Sequence, residues 1–121
     1  MHSHGSSFQE VHNLRNASFV RNADMVVYPG SHEDCENLVK LAVKHNVVLV
    51  PYGAGTNVTQ ALMLEEKEQR MIVSLDMCRM CQIKWVDKEN RMALVEAGIY
   101  GVDLERELMQ YGVVSGHEPD S

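Results

Sequence analysis

The stretch Val47-Val48-Leu49-Val50, followed at once by Pro51-Tyr52-Gly53-Ala54-Gly55-Thr56-Asn57, constrains the fold more than any other part of the chain. A β-branched, continuously apolar run reads as a strand covered on both faces, and it delivers the glycine-rich segment as a loop at its carboxyl end. Two glycines and an alanine within three positions leave almost no side chain, so backbone N–H groups can turn towards a ligand and positive φ is accessible. Such a loop suits a phosphate or pyrophosphate, with Thr56 and Asn57 adding short uncharged hydrogen-bonding groups. The same residues serve equally well as a tight strand-to-helix turn, because short glycine motifs recur widely. No Gly-Lys-Ser/Thr follows, so this is not a Walker loop, and the GxGxxG spacing of a dinucleotide fold is absent.

The residues around the loop predict the layer it belongs to. Met25 to Tyr28 is a compact apolar run ended by Pro29-Gly30, a short strand and turn. Ser31 then serves as N-cap of a helix whose first turn carries Glu33 and Asp34, and Cys35, Leu38, Val39 and Ala42 share one face before His45 and Asn46 close it. Strand, helix and strand in close succession predict a right-handed parallel crossover, which puts the 51–57 loop at the carboxyl edge where such sheets bind ligands.

Phe8, Val11, Leu14 and Phe19 predict an earlier helix over about 8 to 15, and Met71 to Leu75 a strand after the charged segment Glu65 to Arg70. Gln82 to Val86 and Arg91 to Glu96 flank a turn-forming Asp87-Lys88-Glu89-Asn90, predicting a hairpin whose covered face is Ile83, Trp85, Met92 and Leu94. Val102, Leu104, Glu105, Leu108 and Tyr111 predict a last helix stopped at Gly112, with Val113-Val114 opening one more strand. The expected class is α/β (α+β): a small sheet with a βαβ unit and a hairpin, plus flanking helices, in the order α-β-α-β-β-β-β-α-β.

Composition excludes several functions. At 121 residues the chain is one small domain with a core of its own, and no apolar run approaches the roughly 20 residues of a membrane span. A net charge of −6 without clustered Lys and Arg argues against nucleic acid. Three cysteines, Cys35, Cys78 and Cys81, without a signal-peptide pattern favour a reducing compartment and free thiols, and the sequons at Asn16 and Asn57 are chance matches. Cys78-Arg79-Met80-Cys81 has CxxC spacing, but no second pair supplies the four ligands of a structural zinc. The six histidines are dispersed, and His117, Glu118, Asp120 and Ser121 are too close in sequence to converge as a triad. No metal is expected, and the eight methionines read as core filler.

The loop Pro51-Tyr52-Gly53-Ala54-Gly55-Thr56-Asn57 resembles the Pro-x-Gly-Gly-Gly-Thr-Ser loop with which flavoproteins of the vanillyl-alcohol oxidase type hold the pyrophosphate of FAD. Asp24-Met25-Val26-Val27 with Pro29, Ile72-Val73-Ser74-Leu75-Asp76, Val95-Glu96-Ala97-Gly98-Ile99 through Leu104-Glu105-Arg106, and above all Gly116-His117-Glu118-Pro119-Asp120-Ser121 narrow the resemblance to the alkyldihydroxyacetonephosphate synthase family. His4-Gly5 and the helix after it are also similar, so the amino end is not a tag.

The resemblance implies a leading segment, 1–22, then the first lobe of a two-lobed FAD-binding domain, 23–121, ending as the second lobe begins. FAD contacts are then expected from Pro51, Tyr52, Gly53, Ala54, Gly55, Thr56, Asn57, Pro119, Asp120 and Ser121. Thr56 stands where relatives with covalently attached flavin carry histidine, so the FAD is expected to be noncovalent. Ala54 replaces the central glycine, which is harmless if its φ is negative and otherwise costs on the order of 1 kcal/mol.

The family exchanges the acyl chain of acyl-dihydroxyacetone phosphate for a long-chain fatty alcohol, with no net redox change, using groups of a cap domain and carboxyl-terminal residues outside this chain. No catalytic residue is therefore assigned, and the chain alone is expected to be inactive. Peroxisomal location, a homodimer and peripheral membrane contact are further family expectations. The alternatives are another FAD-linked oxidoreductase of the 2-hydroxy-acid dehydrogenase type and a non-enzymatic interaction domain. The reading frame beyond Ser121 separates them.

Overall fold

A computed structural model describes residues 2–18 and 21–116. Its elements run α1 (Phe8–Arg15), β1 (Met25–Val27), α2 (His32–His45), β2 (Val48–Tyr52), β3 (Ile72–Asp76), a 3-10 turn (Met77–Arg79), β4 (Ile83–Asp87), β5 (Met92–Val95) and α3 (Gly101–Gln110).

The helices begin and end where their caps dictate. Ser7 accepts from the Glu10 amide while the Glu10 side chain returns to the Ser7 amide, a reciprocal capping box that opens α1. Ser31 caps α2 by accepting from the Asp34 amide, the Asp34 side chain accepts from the Gly30 amide, and left-handed Asn46 closes the helix. The end of α3 is a Schellman motif: Gly112, at φ +71°, donates to Met109 O, and Val113 donates to Leu108 O at 3.3 Å. That motif uses the Val113 amide in the helix cap, and Val114 is left exposed, so the expected strand at Val113-Val114 does not form.

Three strands make a parallel sheet in the order β1-β3-β2, with β4 and β5 forming a separate antiparallel hairpin. β3 pairs Val73 with both Met25 and Leu49, and Leu75 with both Val27 and Pro51. β1 and β2 are therefore parallel, as the βαβ reading requires, but β3 separates them.

This order corrects the burial assigned to β2. The strand covered on both faces is the central β3, buried at every residue, whereas Val48 to Val50 on edge strand β2 are only half-buried. Being at the edge also makes room for Pro51, which has no N–H to give a second neighbour. The core is small: Ala42 of α2, Leu62, Ile72, Val73, Leu75, Met80 and Leu108 of α3. Val39, expected on the covered face of α2, is 49% exposed.

The hairpin forms, with a register irregularity between Ile83 and Trp85. Its expected covered face does not: Trp85, Met92 and Leu94 are each about half exposed, since no other element makes extensive contact with the hairpin.

Candidate functional site

The carboxyl edge of the parallel sheet gathers the groups with chemical potential. Tyr52 at the end of β2 lies in register with Asp76 at the end of β3. Pro51 and Tyr52 are thus strand residues, and the loop proper starts at Gly53. Gly53, Ala54 and Thr56 are exposed, with Gly55 and Asn57 half-buried. Gly55 adopts φ +74°, which favours glycine, and a Cβ there would have to displace the Tyr52 ring and hydroxyl. Ala54 is absent from the positive-φ residues, so its methyl group brings no backbone strain. Among the described residues, the amides of Ala54, Gly55, Thr56 and Asn57 donate no hydrogen bond within the protein. Four successive uncommitted amides on a loop bare of large side chains are donors available to an anion.

Asn57 plays another part. It is left-handed at φ +56°, and its side chain turns inward. Nδ2 donates to Glu10 Oε1 at 2.5 Å and Oδ1 accepts from the Leu62 amide at 2.7 Å. Its side chain is therefore committed to the protein and leaves only the backbone N–H for a ligand. Pro119, Asp120 and Ser121, the other expected contacts, lie outside the described residues, as do His117 and Glu118.

The amino-terminal segment supplies what the sequence reading missed. Gly5 packs so closely on the loop that a Cβ would collide with Asn57 Cβ and come within 2.9 Å of Thr56 O. The Gly5 amide donates to Glu10 Oε1 at 2.7 Å, while the Ser7 hydroxyl and amide donate to Glu10 Oε2 at 2.6 and 3.2 Å. Burial by itself would raise the Glu10 pKa, but the hydrogen bonds from Ser7, Gly5 and Asn57 outweigh it and hold the carboxyl at about 2.

His2 donates from Nε2 to Asp76 Oδ2 at 2.7 Å, with its ring 4.7 Å from that of Tyr52 and edge-on to Tyr28 at 6.1 Å. Asp76 is also buried; the Cys78 amide and His2 lower its pKa against the opposing effect of burial. Burial, then the nearby Asp76 charge, raise the Tyr52 pKa. Ser7-x-x-Glu10 is a visible capping signature, but nothing local in the sequence announces that the same carboxylate reaches Asn57.

Other features lie apart from this edge. Cys78 and Cys81 are exposed free thiols, with the half-buried Cys35 sulfur 3.6 Å from Met80 Sδ. Among the described residues, no group of three His, Cys, Asp or Glu side chains gathers as a metal site. A groove of about 570 Å³ between the hairpin and the end of α3, lined by residues such as Met92, Leu108 and Val114, contains none of the loop.

Residues 23–121 match the FAD binding domain family, so the chain belongs to that family. Within it, the chain is similar along its whole length to the alkyldihydroxyacetonephosphate synthases: it is 40% identical over 121 residues to that of Caenorhabditis elegans, covering 100% of this chain and 20% of the relative. The synthase of Trypanosoma brucei brucei is likewise 40% identical over 121 residues, again with 20% of the relative covered. A solved structure of an alkyldihydroxyacetonephosphate synthase superposes with a TM-score of 0.90 at 41% identity, over 99% of this chain and 23% of that one. The chain thus spans about a fifth of the length of the relatives it matches.

Proposed function

We propose that this chain supplies the pyrophosphate-binding side of the FAD site in an ether-lipid synthase, an enzyme that exchanges the acyl chain of acyl-dihydroxyacetone phosphate for a long-chain fatty alcohol. The observation that carries the proposal is the run of uncommitted amides from Ala54 to Asn57, on a loop that leaves the carboxyl end of a parallel strand. A diphosphate needs several N–H donors and no side chain between it and the backbone, and this loop meets both demands.

In this reading the backbone from Gly53 to Asn57 binds the pyrophosphate, and Pro51 and Tyr52 set the direction in which the loop leaves the sheet. Pro119, Asp120 and Ser121 contribute to the facing wall. The isoalloxazine ring supplies the reactive chemistry when bound, and this chain's residues bind and orient the group that carries it. Thr56 has a hydroxyl where a covalent attachment needs an imidazole, so the FAD is held noncovalently. The chain contributes no catalytic residue and has no transferase activity alone. A peroxisomal location, a homodimer and peripheral membrane contact belong to the same proposal and rest on family similarity.

The test is Gly55→Val in the full-length protein. A residue with a Cβ at φ +74° costs roughly 1–2 kcal/mol before its collision with Tyr52, so FAD binding followed by flavin fluorescence should weaken by about tenfold or more. Undiminished binding would remove the loop from the flavin site.

A further inference from the structure

We propose that Glu10 is a positioning residue for the flavin loop: through Asn57 it holds the segment after Gly55 in the conformation that presents its free amides. This inference rests on the flavin reading of the loop and adds a residue nearly fifty positions upstream.

The geometry is that of a single buried carboxylate joining two pieces of chain. One oxygen of Glu10 takes the Gly5 amide at 2.7 Å and the Asn57 side-chain amide at 2.5 Å; the other takes both donors of Ser7. Glu10 is only 9% exposed, so each of its bonds is made in place of water. Asn57 transmits the constraint in two directions. Its Oδ1 accepts from the Leu62 amide, and its carbonyl accepts from the Gln60 amide at 2.9 Å, closing the turn that follows the loop. Its backbone sits at φ +56°, a conformation that asparagine tolerates but does not prefer, so the side-chain anchor selects it. Gly5, in contact with Asn57 and Thr56 O, keeps the amino-terminal segment close enough for Glu10 to reach.

A group that only capped α1 would need the two Ser7 bonds and nothing more. The bond to Asn57 is superfluous for capping and is the one that couples α1 to the loop.

The test uses Glu10→Gln and the pair Glu10→Gln with Asn57→Asp in the full-length protein. Glutamine keeps the size of Glu10 but sets an NH2 group against donors. Aspartate at 57 restores an acceptor opposite it and keeps an oxygen for the Leu62 amide. Three measurements are made: hydrogen exchange at the Gln60, Leu62 and Met63 amides, FAD affinity by flavin fluorescence, and global stability by urea at the same temperature.

The expected result for Glu10→Gln is about tenfold faster exchange at those three amides, unchanged protection at Val73 and Leu75, and about tenfold weaker FAD binding. The paired variant should recover part of the exchange loss, since the Gly5 amide that shares this oxygen still faces the NH2 group; FAD affinity is not compared in it, because Asp at 57 adds a negative charge beside the pyrophosphate loop. Unchanged exchange and affinity in Glu10→Gln would overturn the proposal. So would exchange losses that merely follow a lower urea midpoint and are not recovered in part by the pair, since that is the behaviour of a fold-stabilising residue. A full-length wild-type protein that binds no FAD would overturn the flavin reading itself, while the exchange data would still decide whether Glu10 holds the loop.

Discussion

At the scale of single residues, two glycines are held by different constraints. Gly55 is favoured by its positive φ and by the Tyr52 ring above it. Gly98 has no such dihedral, but a Cβ there would penetrate the Met77 carbonyl and approach Met80 O, to which its own amide donates at 2.8 Å. Backbone cannot move aside as a flexible side chain can, so Gly98→Ala should destabilise the chain by about 1–3 kcal/mol, the range seen for overpacked sites. A urea midpoint for Gly98→Ala equal to that of wild type would contradict this. Of the two, Gly55 was legible from its motif. Gly98 was not, because its constraint comes from a carbonyl about twenty residues away that only the folded chain brings near.

At the scale of elements, the joints between pieces are made by carboxylates. Glu10 ties α1 to the loop. Asp24 accepts from Arg21 and from the Ile72 amide, so it fastens the approach to β1 onto the start of β3. Glu68 pairs with Arg70 just before that strand. The hydrogen bonds from these partners, countering burial foremost at Glu10, hold all three carboxyls at about 2.

A pKa depressed on folding stabilises the folded state above the unfolded value and loses that effect as pH falls through the folded value. The urea midpoint should therefore be level in this respect from pH 7 to about 5, then decline as pH drops from about 4.5 towards 2. A midpoint that rose on acidification through that interval would show that these joints do not support the fold. The extent of α1 was readable from the spacing of Phe8, Val11 and Leu14, and the boundaries of α2 from Ser31 and Asn46, since caps and periodicity are local. The partners of Glu10 and Asp24 were not, because a carboxylate's sequence neighbours do not say which distant N–H it will meet.

At the scale of the whole molecule, the chain has one finished side and one open side. At the sheet's carboxyl edge His2, Tyr28, Tyr52 and Asp76 pack together beside the exposed loop. The hairpin, α3 and the segment after it instead present Trp85, Met92, Leu94, Val102, Met109 and Val114 to solvent. Isolated apolar residues on a surface are ordinary, but this many on neighbouring elements favour association. Trp85 is the only tryptophan and is 47% exposed, so its fluorescence reports on this face directly. Iodide should quench it readily in dilute solution, and quenching should diminish as the protein is concentrated and the face becomes covered. Emission inaccessible to iodide at every concentration would mean that Trp85 is packed within the chain.

The sequence by itself determined the α/β class, the extents of α1 and α2, the hairpin, the family, and a glycine-rich loop leaving a strand at its carboxyl end. Each of these is written in caps, periodicity or a contiguous motif, which act over a few residues. Only the tertiary structure decided that β3 and not β2 is the buried centre of the sheet, because strand order depends on pairings between distant segments. It alone turned the Asn57 side chain inward and made Glu10 its anchor, since the desolvation that makes such a bond matter arises only when residues 2–10 pack against the loop. It also left Trp85, Met92 and Leu94 exposed: an alternating pattern states which side chains share a face, but not what covers it.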